Sequence, residues 1–344
     1  MKTVFRFLFT LSIIAGFFTS CDLPEADPPD GSTPFADITK DTELKGGIYT
    51  IGNSFYVDAL LTISAGSTLK MDQGVWINVE TSSGAGRIIA IGTPEEPIIF
   101  TSSSLSSSPG DWQGLVIDNN GSVFRYCEFR YADTALEVNG NNVTVEGCVF
   151  TKNKTGLDTT DTTSGFSLAS STFNENTHPL IINSSFNLDD SNTFTGNTWQ
   201  RIRFTGSTII AARTWAVTSV PIFCSNAFYV DALLTIFPGV SLTMGDGVWI
   251  DVEASSGVIL ASGTALAPIR FTSAAAVPSA GDWSGIWIEN SGSVFEYCEF
   301  SYADVALDVS VTTLTVEYST FSNNSVHIEP NSTTFVLSGT NTKD

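Results

Sequence analysis

The chain has 344 residues, 42% of them apolar, with 36 Asp and Glu against 15 Lys and Arg for a net charge of -21. That apolar content excludes a disordered chain, and the length suffices for one elongated domain or two compact ones. The charge argues against nucleic acid or anionic lipid headgroups as partners and suits a surface that meets water, cations or neutral molecules.

Residues 1–20 carry Lys2 and Arg6, the apolar run FLFTLSIIAGFF and small polar residues before Cys21. The pattern is that of a secretory signal peptide, too short to span a bilayer by itself. The ending Phe18-Thr19-Ser20-Cys21 resembles the lipobox of bacterial lipoproteins, in which cleavage leaves a cysteine that becomes lipidated; Cys21 is the expected lipid site. Removing 1–20 takes away two positive charges. Residues 21–43 are rich in Pro and Asp without apolar periodicity and read as a flexible tether. Acidic residues just after the cysteine resemble the export signal of Bacteroidetes lipoproteins. That resemblance implies a bacterial cell-envelope protein, anchored in the outer membrane and exposed at the surface.

From 44 to 344 short alternating or β-branched runs are separated by Gly, Asn, Ser and Asp, with no amphipathic helix of ten or more residues. Two blocks recur. Gly110 to Leu136 returns at Gly281 to Leu307 with 19 of 27 positions identical, and Phe55 to Gly84 returns at Phe228 to Gly257 with 21 of 30 identical. The chain is thus a tandem duplication, with units about 44–156 and 217–328 and intervening coils over 157–216. A shorter period runs inside it. Phe129, Phe150, Phe173 and Phe194 are spaced 21, 23 and 21, and Leu115, Leu136 and Leu157 are continued by Ile181 and Ile202. Three residues after the last three Phe come Asn153, Asn176 and Asn197. A period of 21–23 made of strands and turns fits one coil of a parallel β-helix, all-β, with like residues stacked inside and asparagines forming an amide ladder at a turn. The span holds roughly 13 coils, about 60 Å of rod at about 4.8 Å per coil.

The phrases AGSTLKM and PGVSLTM, GTPEEPIIFTS and GTALAPIRFTS, GDWQGLVI and GDWSGIWI, FRYCEFRYAD and FEYCEFSYAD resemble repeats of the right-handed parallel β-helix proteins of the pectin-lyase-like superfamily. This fold hosts lyases, hydrolases, adhesins and scaffolds, so the resemblance speaks for architecture more than for activity.

Chemistry is sparse. Cys127 and Cys148 fall in adjacent coils, close enough for a disulfide if the side chains turn together, and no Cys/His spacing suggests a metal site. No catalytic residue is assigned. A hydrolase would need paired carboxylates; a lyase would need acids such as Asp133, Asp304, Glu137, Asp308, Asp118 and Glu289 around calcium, with a base. The basic neighbours differ between copies: Arg125 is replaced by Glu296 and Arg130 by Ser301. Asp189-Asp190 reads as a solvated turn. Alternation in VWINVE, VWIDVE and GIWIE directs Trp76, Trp249, Asp251, Trp287 and Glu289 outward, an arrangement suited to sugar recognition. The reading is a lipid-anchored binding or scaffolding module for an extracellular glycan or surface protein, without cofactor. The alternative is a polysaccharide lyase or glycoside hydrolase acting on an acidic polysaccharide, with calcium if a lyase.

Overall fold

The computed structural model describes residues 36–80, 84–162, 164–253, 255–311 and 313–330, with the backbone of 342–343. The expected signal peptide, Cys21 and most of the tether lie outside the described residues. Those described form strands and turns without a helix, and every strand pair is parallel across sheets of thirteen, seven, six, six and five strands. Most coils give one strand to each of three sheets. Thus Val123–Arg125, Cys127–Arg130 and Thr134–Val138 pair with Thr144–Glu146, Val149–Thr151 and Thr155–Asp158 of the next coil. The chain is a right-handed parallel β-helix.

Stacking of like on like fills the interior. Phe100, Phe129, Phe150, Phe173 and Phe194 lie ring on ring, with centroids 4.8 to 5.1 Å apart and planes within 9° of parallel. Coil spacing in a parallel sheet sets that distance, so one aromatic per coil makes a continuous apolar column. The aliphatic column differs from expectation in one place. Leu157 is followed by Leu180 and then Ile202, while Ile181 sits in the outward row between Asp158 and Arg203. The residue before it therefore takes the interior position.

Coil structure also begins inside the expected tether. Ile38 bridges to Val57, and Thr42–Leu44 pairs with Leu61–Ile63. At the other end Thr342–Lys343 pairs onto Thr320 and Phe321 as the last strand of the thirteen-stranded sheet.

The two copies do not occupy equivalent sheets. In the first, Leu60–Ser64, Ser67–Met71 and Trp76–Val79 belong to the N-terminal six-stranded sheet, the seven-stranded sheet and the thirteen-stranded sheet. In the second, Leu233–Ile236, Ser241–Met244 and Trp249–Val252 belong to the five-stranded sheet, the thirteen-stranded sheet and the C-terminal six-stranded sheet. The shift arises where His178–Ile182 and Ile202–Phe204 pair as neighbours in the thirteen-stranded sheet with a single strand, Thr193–Thr195, between them in sequence. Along the rest of this sheet as far as Thr320–Ser322 two strands intervene. In that coil an isolated parallel bridge from Leu188 to Trp215 stands in place of the missing strand and leads into the five-stranded sheet.

At the turns, left-handed backbone is borne by the residue before each ladder position. Lys152, Glu175 and Gly196 have φ of 56°, 54° and 64°, so Asn153, Asn176 and Asn197 follow the left-handed residue instead of occupying its conformation. All three are buried. The Asn153 amide donates to Phe129 O and Asn176 Oδ1, the Asn176 amide to Phe150 O and Asn197 Oδ1, and the Asn197 amide to Phe173 O and Gln200 Oε1. Gln200 closes the ladder by donating to Phe194 O.

Cys127 and Cys148 occupy the other turn as free, buried thiols and not as a disulfide. Each follows a left-handed residue, Tyr126 or Gly147, and each thiol points the same way along the stack. Cys127 Sγ donates to Ala90 O and Cys148 Sγ to Phe124 O, both at 3.4 Å. The two sulfurs are therefore translated copies, and no bond joins them. Ser319 Oγ makes the matching contact to Phe295 O, which is why serine can replace cysteine in the second copy. Burial raises the Cys127 pKa and keeps that thiol protonated.

Candidate functional site

In the C-terminal six-stranded sheet, outward positions of consecutive coils line up as Tyr229, Asp251, Trp287, Asp308 and Glu329. The next outward row holds Glu253 and Glu289, whose backbone N–H groups donate to Val230 O and Val252 O. Trp249 lies opposite Gly285. With no side chain there, the indole of Trp249 passes over that position and stacks on Trp287, centroids 5.1 Å apart and planes 12° from parallel. Tyr229 meets the other end of the stack edge-on at 4.9 Å from Trp249. Four of the five outward residues singled out by alternation, Trp249, Asp251, Trp287 and Glu289, thus meet on one surface.

Trp76 does not join them. It stands in the thirteen-stranded sheet against Tyr56, edge-on at 4.8 Å, and the position matching Trp287 in that copy is Val116. The first copy has one indole where the second has two.

Asp251 is 8% exposed, and its Oδ1 is buried without a hydrogen-bond partner. The equivalent Asn78 Oδ1 beside Trp76 is orphaned in the same way. An unpaired buried acceptor costs about 1–3 kcal/mol, and both copies carry one at this position. Burial, reinforced by Glu289 and Glu253, pushes the Asp251 carboxyl up to about 6. A carboxyl with a folded pKa above its ordinary 3.8 adds stability while protonated and loses that contribution as pH rises through about 6. Asp251→Asn is expected to gain about 1–2 kcal/mol over the wild type between pH 4 and 7, after allowance for solvent screening at the rim. Paired denaturation curves at the two pH values check this; a difference that stays flat with pH would contradict it.

The acids considered for lyase chemistry are divided between sheets and partly engaged. Asp133 forms an ion pair with Lys154, and the Asn139 amide ties Asp118 Oδ1 to Glu137 Oε1 at 2.8 and 3.2 Å. Thr134–Val138 lies in the thirteen-stranded sheet, whereas Ala303–Val309, with Asp304 and Asp308, lies in the C-terminal six-stranded one. Among the described residues no group of three or more His, Cys, Asp or Glu side chains is placed to hold a metal ion. Asp190 is no idle turn residue: it accepts hydrogen bonds from the Thr218 and Ser219 N–H groups and from the Thr218 hydroxyl, and so clamps two coils.

Residues 36–130 match the family model of a pectate-lyase like beta helix domain, and residues 88–231 match that of a right handed beta helix region. Over these residues the chain is a pectate-lyase-like right-handed β-helix. No curated protein and no solved structure matches it. The β-helix explains why alternation found Trp249 and Trp287 yet missed their partner Tyr229. Tyr229 is the middle letter of Phe228-Tyr229-Val230, flanked by two buried residues, and its outward direction was readable there. That the three aromatics fall in successive coils was not readable, because the loop before Trp283 lengthens one coil.

Proposed function

We propose that this β-helix is a cell-envelope binding module that takes an extracellular glycan on the ladder of Tyr229, Trp249 and Trp287. The observation that carries the reading is the orphaned Oδ1 of Asp251 beside the stacked indoles. A sugar presents C–H faces to an aromatic surface and hydroxyl donors to a neighbouring carboxyl, so one ligand answers both features. Glu253, Glu289 and Asp308 disfavour a polyanion there, which points to a neutral glycan. The signal-peptide and lipobox letters ending at Cys21 support an envelope location, anchored by lipid and facing outward. The competing reading, a lyase or hydrolase acting on an acidic polysaccharide, draws support from the family match and from the acids of the thirteen-stranded sheet.

One experiment separates them. The full chain is incubated with neutral and acidic polysaccharides, with and without calcium, while ligand depletion and chain cleavage are both followed. Depletion of a neutral glycan without cleavage, weakened at least about tenfold by Trp249→Ala or Trp287→Ala and little by Trp76→Ala, is the expected result. Cleavage would establish an enzyme; equal loss from all three substitutions would remove the ladder from the account.

A further inference from the structure

A second cluster lies on the thirteen-stranded sheet, near the coil that drops a strand. There the outward face carries Trp199, Arg201 and Arg203 of one coil and Phe223 of the next, with His178 of the preceding coil stacked on Trp199 at 6.4 Å. The chain has 36 acids to 15 bases, and five of its cations, Arg125, Arg130, Lys152, Lys154 and Arg270, are held by carboxylates. Among the described residues neither Arg201 nor Arg203 has a carboxylate within ion-pair distance, and Arg203 Nε is buried without any hydrogen-bond partner. Arg201 and Arg203 thus share a surface with no carboxylate in ion-pair contact, beside His178, whose pKa burial and the two arginines lower.

The setting of Arg201 narrows what could answer it. Its guanidinium carbon sits 3.6 Å from the Phe223 ring centre and 4.4 Å from that of Trp199. Contact with the rings orients the planar group and leaves its N–H edges to make hydrogen bonds, the geometry that receives a carboxylate. Beside it opens a cleft of about 450 Å³ lined by Trp199, Arg201, Phe223 and Met244, with Asp246 and Asp282 also in its wall. That volume is in the range of small-molecule sites. Hydrogen bonds from the Ser273 hydroxyl and from Ser279 hold Asp282 below the usual carboxylate range, so it stays ionised. A second negative charge on the ligand would meet that repulsion, and a polyhydroxylated ring would leave hydroxyls unpaired against Phe223 and Met244.

We infer that this cleft binds a small monoanionic carboxylate with an apolar body, the carboxylate on Arg201 and the body against Phe223, Trp199 and Met244. The site is separate from the aromatic ladder and stands or falls independently of it.

The test uses the full chain with phenylacetate as probe, titrated by ligand-observed NMR, beside its neutral counterpart 2-phenylethanol and with glucuronate and inorganic phosphate as competitors. Expected are saturable binding of phenylacetate, at least about tenfold weaker binding of 2-phenylethanol, and little competition from glucuronate or phosphate. Arg201→Gln should abolish the preference for the acid, and Arg201→Lys should retain part of it. If Arg201→Gln does not fold, the comparison of acid and alcohol on the wild type still decides. Equal affinity for both, stronger binding of phosphate or glucuronate, or no binding of phenylacetate overturns the proposal.

Discussion

Changing Asn176 to Ala is expected to cost about 3–5 kcal/mol of stability, because one amide serves four buried groups at once. Its Nδ2 donates to Phe150 O at 2.9 Å and to Asn197 Oδ1 at 3.1 Å. Its Oδ1 accepts from both the backbone N–H and the Nδ2 of Asn153, each at 3.0 Å. Truncation leaves the Asn153 N–H and the Phe150 carbonyl buried and unpaired, where water cannot replace the lost partner. The second copy offers an internal comparison. Asn324 accepts from the Ala303 N–H and donates to Phe300 O, and it is only partly buried. Asn324→Ala should therefore cost about 1–2 kcal/mol. Coils contact chiefly their neighbours, so amide hydrogen exchange is the appropriate readout: protection should fall first at Asn153 and its adjoining coils, and chemical denaturation should rank the two variants. Equal losses at 176 and 324 would show that the ladder has no cooperative value.

Gly285→Ala is expected to be worse, about 4 kcal/mol or more, with misfolding the commonest outcome. Gly285 has φ of 127°, and a Cβ built there would lie 1.6 Å from Val305 O, a backbone atom that cannot move aside. Register with the next coil shifts at this point, between Gly285 and Ile286. Gly114 in the first copy is the same case, with φ of 135° and Thr134 O at 1.7 Å. Steric collision and a backbone region closed to L-residues act together in both. Gly247 separates the two terms. Its φ is 65° and nothing lies within 4 Å of a built Cβ, so Gly247→Ala should cost only the conformational part, about 1 kcal/mol. Thermal melting of the three variants tests the ranking; a tolerated Gly285→Ala would mean that the bulge can be rebuilt without glycine.

How far the letters reached is seen best in the columns. Phe129, Phe150, Phe173 and Phe194 announced a coil because an interior one residue wide tolerates little else at a stacked position, and the same logic exposed the asparagines. Ile181 was misplaced because two aliphatic neighbours, Leu180 and Ile181, satisfy the period equally well and only the register chooses between them. Cys127 and Cys148 were readable as neighbours but not as unbonded ones, since a spacing of 21 fixes backbone distance and says nothing of rotamers. The Arg201 cluster went unread. Its signal was present in Trp199-Gln200-Arg201-Ile202-Arg203, two outward cations without an acid between them, but the acids of adjacent coils are known only once the coils are stacked. The dropped strand left no mark in the repeats: the two copies match at 19 of 27 and 21 of 30 positions although they occupy different sheets.

That displacement changes what duplication means for this molecule. Two like patches on one face would grip a single strand in tandem, each raising the effective concentration of the other. Trp76 and Trp249 belong to different faces, so a straight polymer lying along one cannot also reach the other. Doubling of the sequence has therefore not doubled one surface: the paired indoles of Trp249 and Trp287 belong to one face and the single indole of Trp76 to another.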